Sequence, residues 1–228
     1  MTAPVPHRPD ILDDDRNPDG AWTSSDNPRV GHSRTAKAKS RERIVASSSR
    51  LLRERGVDGV GIAELMKCAG LSHGGFYKHF GSRDDLVGEA IERALHDGGK
   101  AVAAVLGAKR PPKALFAALV DAYLSAAHRE NLATSCAVTT LAGDVARAGH
   151  RARRAYTRQV EIYVGLLAKL IAGDKHPARR KKAIAALSTL VGAVSMARAV
   201  NDDVLSGEIL RAAADELKQA FGGVTGPT

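Results

Sequence analysis

Ile62-Ala63-Glu64-Leu65-Met66-Lys67-Cys68-Ala69-Gly70-Leu71-Ser72-His73-Gly74-Gly75-Phe76-Tyr77-Lys78-His79-Phe80 is the stretch that decides the fold. Ile62, Leu65 and Met66 recur at helical spacing, and Gly70 interrupts them. Ser72 stands where it would cap a second short helix carrying Phe76, Tyr77 and Phe80. Two short helices joined by a tight, glycine-containing turn make a helix-turn-helix. Gly74 and Gly75 fall inside the second helix, where each costs about 1 kcal/mol against Ala. That cost makes sense if the helix must approach another surface closely, such as the floor of a DNA major groove. The Ser72 hydroxyl and the free amides beside it could hold a phosphate.

The surroundings of this stretch are helical too. Upstream, a helix from about residue 36 has Ile44, Leu51 and Leu52 on its apolar stripe, and Gly56 ends it as a left-handed C-terminal glycine would. Downstream, Gly81-Ser82 caps a helix with Leu86, Ala90, Ile91, Ala94 and Leu95 inward. Further helices are expected from Pro111-Pro112, over about 136–148, 151–172 and 178–200, and over 203–221. Sustained β alternation and repeats of 20–50 residues are lacking. The expected class is all-α. The expected organisation is a disordered acidic arm (1–33), a helix-turn-helix domain (34–82), a larger helical domain (83–221) and a disordered tail (222–228).

Composition supports this division. The 228 residues are 44% hydrophobic but only 4% aromatic, so Ala, Leu, Val and Ile must build the core. The formal charge of +9 points to an acidic partner, nucleic acid before an anionic membrane. Asp10, Asp13, Asp14, Asp15, Asp19 and Asp26 outnumber Arg8, Arg16 and Arg29 in the arm, whereas bases dominate 34–82. Two distant cysteines, Cys68 and Cys136, do not make a disulfide scaffold and fit a reducing, cytoplasmic setting. Neither a signal peptide nor an apolar run near the ~18 residues of a membrane span is evident. Catalytic motifs are missing, and the histidines are scattered without metal-ligand spacing, so neither an enzyme, a metal site nor a cofactor is expected.

Ala69-Gly70-Leu71-Ser72, Gly74, Phe76-Tyr77-Lys78-His79-Phe80 and Ser82-Arg83-Asp84-Asp85-Leu86-Val87 together resemble the TetR family of bacterial transcriptional repressors. Arg83 stands where the family often has a lysine, and Gly61 where many members carry Thr or Ser. The resemblance implies an N-terminal three-helix DNA-binding domain and a C-terminal helical domain for ligand binding and dimerisation. It also implies a homodimer whose last two long helices form a four-helix bundle, on a palindromic double-stranded DNA operator. A small-molecule inducer would release it. Ala183, Ile184, Leu187, Leu190, Val191, Val194 and the small Gly192, Ala193 and Ser195 suit a helix–helix seam, within one chain or between two.

By chemistry, Tyr77 and His79 are expected to hydrogen-bond phosphates, Lys78 and Arg83 to supply charge, and His73 to reach a base edge. Ser72 and Gly74 complete that surface, with Arg43, Arg41 and Lys39 near flanking phosphates, while Phe76 and Phe80 read as core. Phe116, Tyr123, His128, Tyr156, Tyr163 and Met196 are the inward-facing candidates for a ligand pocket. Cys68 reads as a small buried side chain. Cys136, at an expected helix start that would favour its thiolate, is either structural or a sensor. A thiol-based redox or electrophile sensor is therefore the second reading, and a helical enzyme or scaffold without DNA binding the third.

Overall fold

The computed structural model describes residues 28–107, 110–171 and 176–221, and all regular structure among them is helical. The N-terminal part holds α1 (Pro28–Arg55), α2 (Ile62–Cys68) and a 3₁₀ helix (His73–Lys78). Then follow α3 (Arg83–Leu106), α4 (Pro112–Tyr123), α5 (Ala126–Glu130), a 3₁₀ turn (Leu132–Thr134), α6 (Ala137–Thr140) and α7 (Ala142–Arg147). The last three are α8 (His150–Leu170), α9 (His176–Ala199) and α10 (Asp203–Phe221). The long helix α3 runs from the N-terminal part into the C-terminal one, packing on α1 at one end and on α8 and α4 beyond. Helices α8, α9 and α10 stack in succession.

Local chemistry explains the breaks. Gly56 and Gly70 adopt φ values of +75° and +68°, which side-chain-bearing residues rarely tolerate. At the end of α2 the Gly70 N–H donates to Lys67 O (2.9 Å) and the Leu71 N–H to Met66 O (3.0 Å), the paired bonds of a Schellman motif. Ser82 Oγ accepts from the Asp85 N–H at 3.1 Å, capping α3 as its position suggested. Pro112 opens α4, where a missing N–H costs nothing.

Several expectations change. Helix α1 starts at Pro28, before the expected end of the arm, whereas the disorder foreseen for 1–27 and 222–228 concerns residues outside those described. One helix was expected over 136–148; the chain breaks at Leu141 into α6 and α7. Helix α5 was not foreseen. Cys68 is exposed, because the Schellman turn directs burial through Leu65, Met66 and Ala69 instead. The segment Ala178–Ala199 is long and apolar enough to cross a membrane, with mean hydropathy 1.2, contrary to the reading that no such run exists. Within the fold its Ala183, Ala186, Leu187, Leu190, Val194 and Ala197 are buried, and α9 packs on α8 and α10.

Candidate nucleic-acid interface

The helix-turn-helix rests on an apolar anchor. Phe76 is fully buried and Phe80 nearly so, their rings stacked with centroids 5.7 Å apart. Tyr77 leaves this anchor edge-on to Phe76, at 5.1 Å and 85°, yet is 71% exposed. Ser72, His73, Gly74 and Lys78 are exposed beside it. The 3₁₀ segment is tighter than the helix expected, as suits a short run opening on two glycines. Ser72 takes the N-cap position in extended conformation, but its side chain makes no capping bond. A Cβ added at Gly74 would meet nothing within 4 Å, and at Gly75 only ordinary contacts with Met66 and Ser72. Packing inside the protein therefore does not require either glycine.

Other expected contacts are spent internally. The Nη2 of Arg83 donates to the carbonyls of Val57 and Val60, so Arg83 braces the turn between α1 and α2 rather than standing free for a phosphate. Arg41 forms a bidentate pair with Glu89 and lies 4.6 Å over the Phe80 ring. Arg43, Lys37 and Lys39 stay exposed on α1. His79 is half-buried with its Nδ1 enclosed and unpartnered, and burial, then Lys37, Arg41 and Lys78, push its pKa below the usual imidazole value.

The same turn is gripped from the C-terminal domain. Asp144 on α7 accepts the Val57 N–H at 3.2 Å, across 87 residues of sequence. This residue carried no sequence signal, since nothing local marks a carboxylate whose partner is so distant. Arg151 on α8 adds a bond to Glu92 on α3 at 2.8 Å and holds that carboxyl below the ordinary carboxylate range.

The C-terminal candidates divide. Tyr123 and Tyr163 line a small apolar cavity of about 20 Å³, with Val102, Leu119, Leu166, Leu167, Leu187 and Leu190. Burial, and then the neighbouring Cys136, raise both phenol pKa values. Tyr123 Oη also shares a hydrogen bond with Thr139 Oγ1 at 2.6 Å. Tyr156 Oη donates to Val138 O at 2.7 Å, outside the cavity lining. His128 is fully occupied. Its Nδ1, 2.6 Å from Tyr123 O, must be the protonated nitrogen, so Nε2 accepts from the Cys136 N–H and Ser135 hydroxyl. Phe116 is completely buried against Phe221, away from the cavity. Met196, expected inward, is 59% exposed on α9. Cys136 is buried at the head of a helix of only one turn, not of one helix over 136–148.

Residues 44–90 match the family model of bacterial regulatory proteins of the tetR family. An uncharacterised HTH-type transcriptional regulator of Mycobacterium tuberculosis is 29% identical over 170 residues, covering 71% of this chain and 86% of that protein. Among solved structures, a TetR transcriptional regulator from Chloroflexus aurantiacus aligns with TM-score 0.69 and 23% identity over 81% of this chain and 95% of that one. The reduced form of NemR from E. coli aligns with TM-score 0.66 and 20% identity, covering 79% and 96%. These two structural matches carry the fold.

Proposed function

We propose that this chain, whose residues 44–90 match the family model of bacterial regulatory proteins of the tetR family, is a DNA-binding transcriptional repressor released from its operator by a small-molecule inducer. One observation carries the DNA-facing assignment. Ser72, His73, Gly74, Tyr77 and Lys78 are exposed together on a segment fixed from behind by Phe76 and Phe80. Such a surface can enter a major groove with glycines at the floor and polar groups on the phosphates.

The regulator works as a homodimer. Ile184, Met196, Val204 and Leu205 are large apolar side chains left exposed on α9 and α10, and a second copy would cover them. Two recognition segments then meet the half-sites of a palindrome. The inducer enters between α3, α4, α8 and α9 at the Tyr123 and Tyr163 hydroxyls. Room of about 20 Å³ holds little more than one water, so an inducer must part these helices to bind. Helix α6, tied to Tyr123 through Thr139, leads directly into α7, whose Asp144 holds the DNA-binding turn. An inducer favouring the parted state would shift the population away from the DNA-binding arrangement.

The test is binding to the DNA upstream of its own gene. Specific, salt-dependent binding that weakens with a bound inducer supports the reading, and equal binding to unrelated DNA overturns it. A thiol-based release is the second reading, favoured by the place of the free Cys136 beside Tyr123 and Tyr163, whose phenols feel its charge. Oxidant-driven release that persists in Cys136→Ser would reject it.

A further inference from the structure

A recess of about 280 Å³ opens at the joint between the two domains. Arg53 of α1, Thr139 and Thr140 of α6, and Ser195 and Arg198 of α9 line it. Arg53 is only 6% exposed, and its Nε is enclosed without any hydrogen-bond partner. Its hydrogen bond from Nη1 to Ser135 O is a long one, at 3.5 Å. Arg198 is half-buried, and Nε and Nη2 donate to Arg129 O (2.9 Å), His128 O (2.7 Å) and the Ser135 hydroxyl. Its Nη1 has no protein partner among the described residues. Neither guanidinium has a carboxylate within ion-pair distance among those residues.

Buried charges are ordinarily paired, because desolvating an unpaired one is costly. Here two guanidiniums from different domains flank one recess and leave donors unused. Thr139, Thr140 and Ser195 add polar residues to the lining. The acid in that lining, Glu54, is exposed at the solvent side and makes no ion pair among the described residues. The planar fork of a guanidinium matches a carboxylate or a phosphate better than it matches chloride.

We propose that this recess is an anion site, taking a small ligand with a carboxylate or phosphate group between Arg53 and Arg198. The site is separate from the apolar cavity at Tyr123 and Tyr163, and the two share no lining residue. An anion held there joins α1 of the DNA-binding domain to α9, so it acts as a second effector on the same joint.

Binding can be measured without DNA, so its failure leaves the repressor reading untouched. The full chain is titrated with inorganic phosphate and, separately, with succinate, by calorimetry and thermal unfolding. Ionic strength is held constant with sodium chloride. Saturable binding of either anion is expected, and the tighter one names the ligand's head group. Arg53→Met should weaken it at least tenfold, with helical content checked by circular dichroism. Glu54→Gln, on an exposed side chain, should tighten it at least twofold by removing a like charge. The proposal is overturned by an absence of saturable binding at constant ionic strength, by unchanged affinity in folded Arg53→Met, or by unchanged or weaker affinity in Glu54→Gln.

Discussion

Tyr77→Phe separates recognition from folding more cleanly than any other single change at this surface. Tyr77 is 71% exposed, and its ring meets Phe76 edge-on at 5.1 Å. Phe keeps that ring and loses only a hydroxyl that faces solvent in the free protein. Stability should therefore stay within about 0.5 kcal/mol of wild type. On DNA the hydroxyl is proposed to donate to a phosphate, and a hydrogen bond to a charged group is worth about 1.5–3 kcal/mol. At about 1.4 kcal/mol per tenfold, each protomer loses roughly 10- to 150-fold in affinity. Fluorescence anisotropy with the upstream duplex, repeated across salt concentrations, measures both affinity and its salt slope. The hydroxyl carries no charge, so the slope should not change. Affinity within twofold of wild type, with thermal unfolding also unchanged, would refute the placement of Tyr77 against the DNA.

Lys78→Ala should instead reduce the salt slope by about one per protomer, because one phosphate counterion fewer is released; an unchanged slope in the same titration removes Lys78 from the backbone contacts. Gly61→Ser adds a capping hydroxyl where a Cβ meets nothing within 4 Å, and should stabilise α2 by a few tenths of a kcal/mol in denaturant unfolding. Asp144→Ala strips the Val57 N–H of its acceptor and should cost about 1–3 kcal/mol, with faster hydrogen exchange at the Val57 amide as the local readout. His128 and His79 have folded pKa values lowered, first by burial, below the ordinary 6.5. Unfolded histidines bind protons first, so stability is complete above about pH 6.5 and falls as pH drops from there toward the lower folded values. Urea midpoints between pH 8 and 5 follow this, and His128→Asn should flatten part of the slope.

The helix-turn-helix was legible because its signals are local. Gly70, Ser82, the Phe76–Phe80 anchor and the apolar stripes act within one or two helical turns, so order and type of most elements follow from neighbours in the chain. The ends of helices near Leu141 were less legible, since an Ala-rich segment favours helix whether or not tertiary packing breaks it. The fate of the charged and polar groups was not legible at all. Arg83 and Arg41 look like DNA contacts in sequence, yet the turn carbonyls and Glu89 engage them. Met196 looks like pocket lining, yet it lies outside. Ser72 looks like a helix cap, and it occupies the cap position without making the bond.

By itself, then, the sequence determined an all-helical chain with a helix-turn-helix and its turn glycines, because periodicity, capping and backbone freedom are properties of short stretches. Only the tertiary structure decided which cations are engaged internally, that Asp144 grips the Val57 turn, and that Arg53 and Arg198 line one recess without an ion pair to either among the described residues. Those outcomes depend on residues brought together across tens of positions, and a side chain's charge is either neutralised or left available by partners that its own segment does not name.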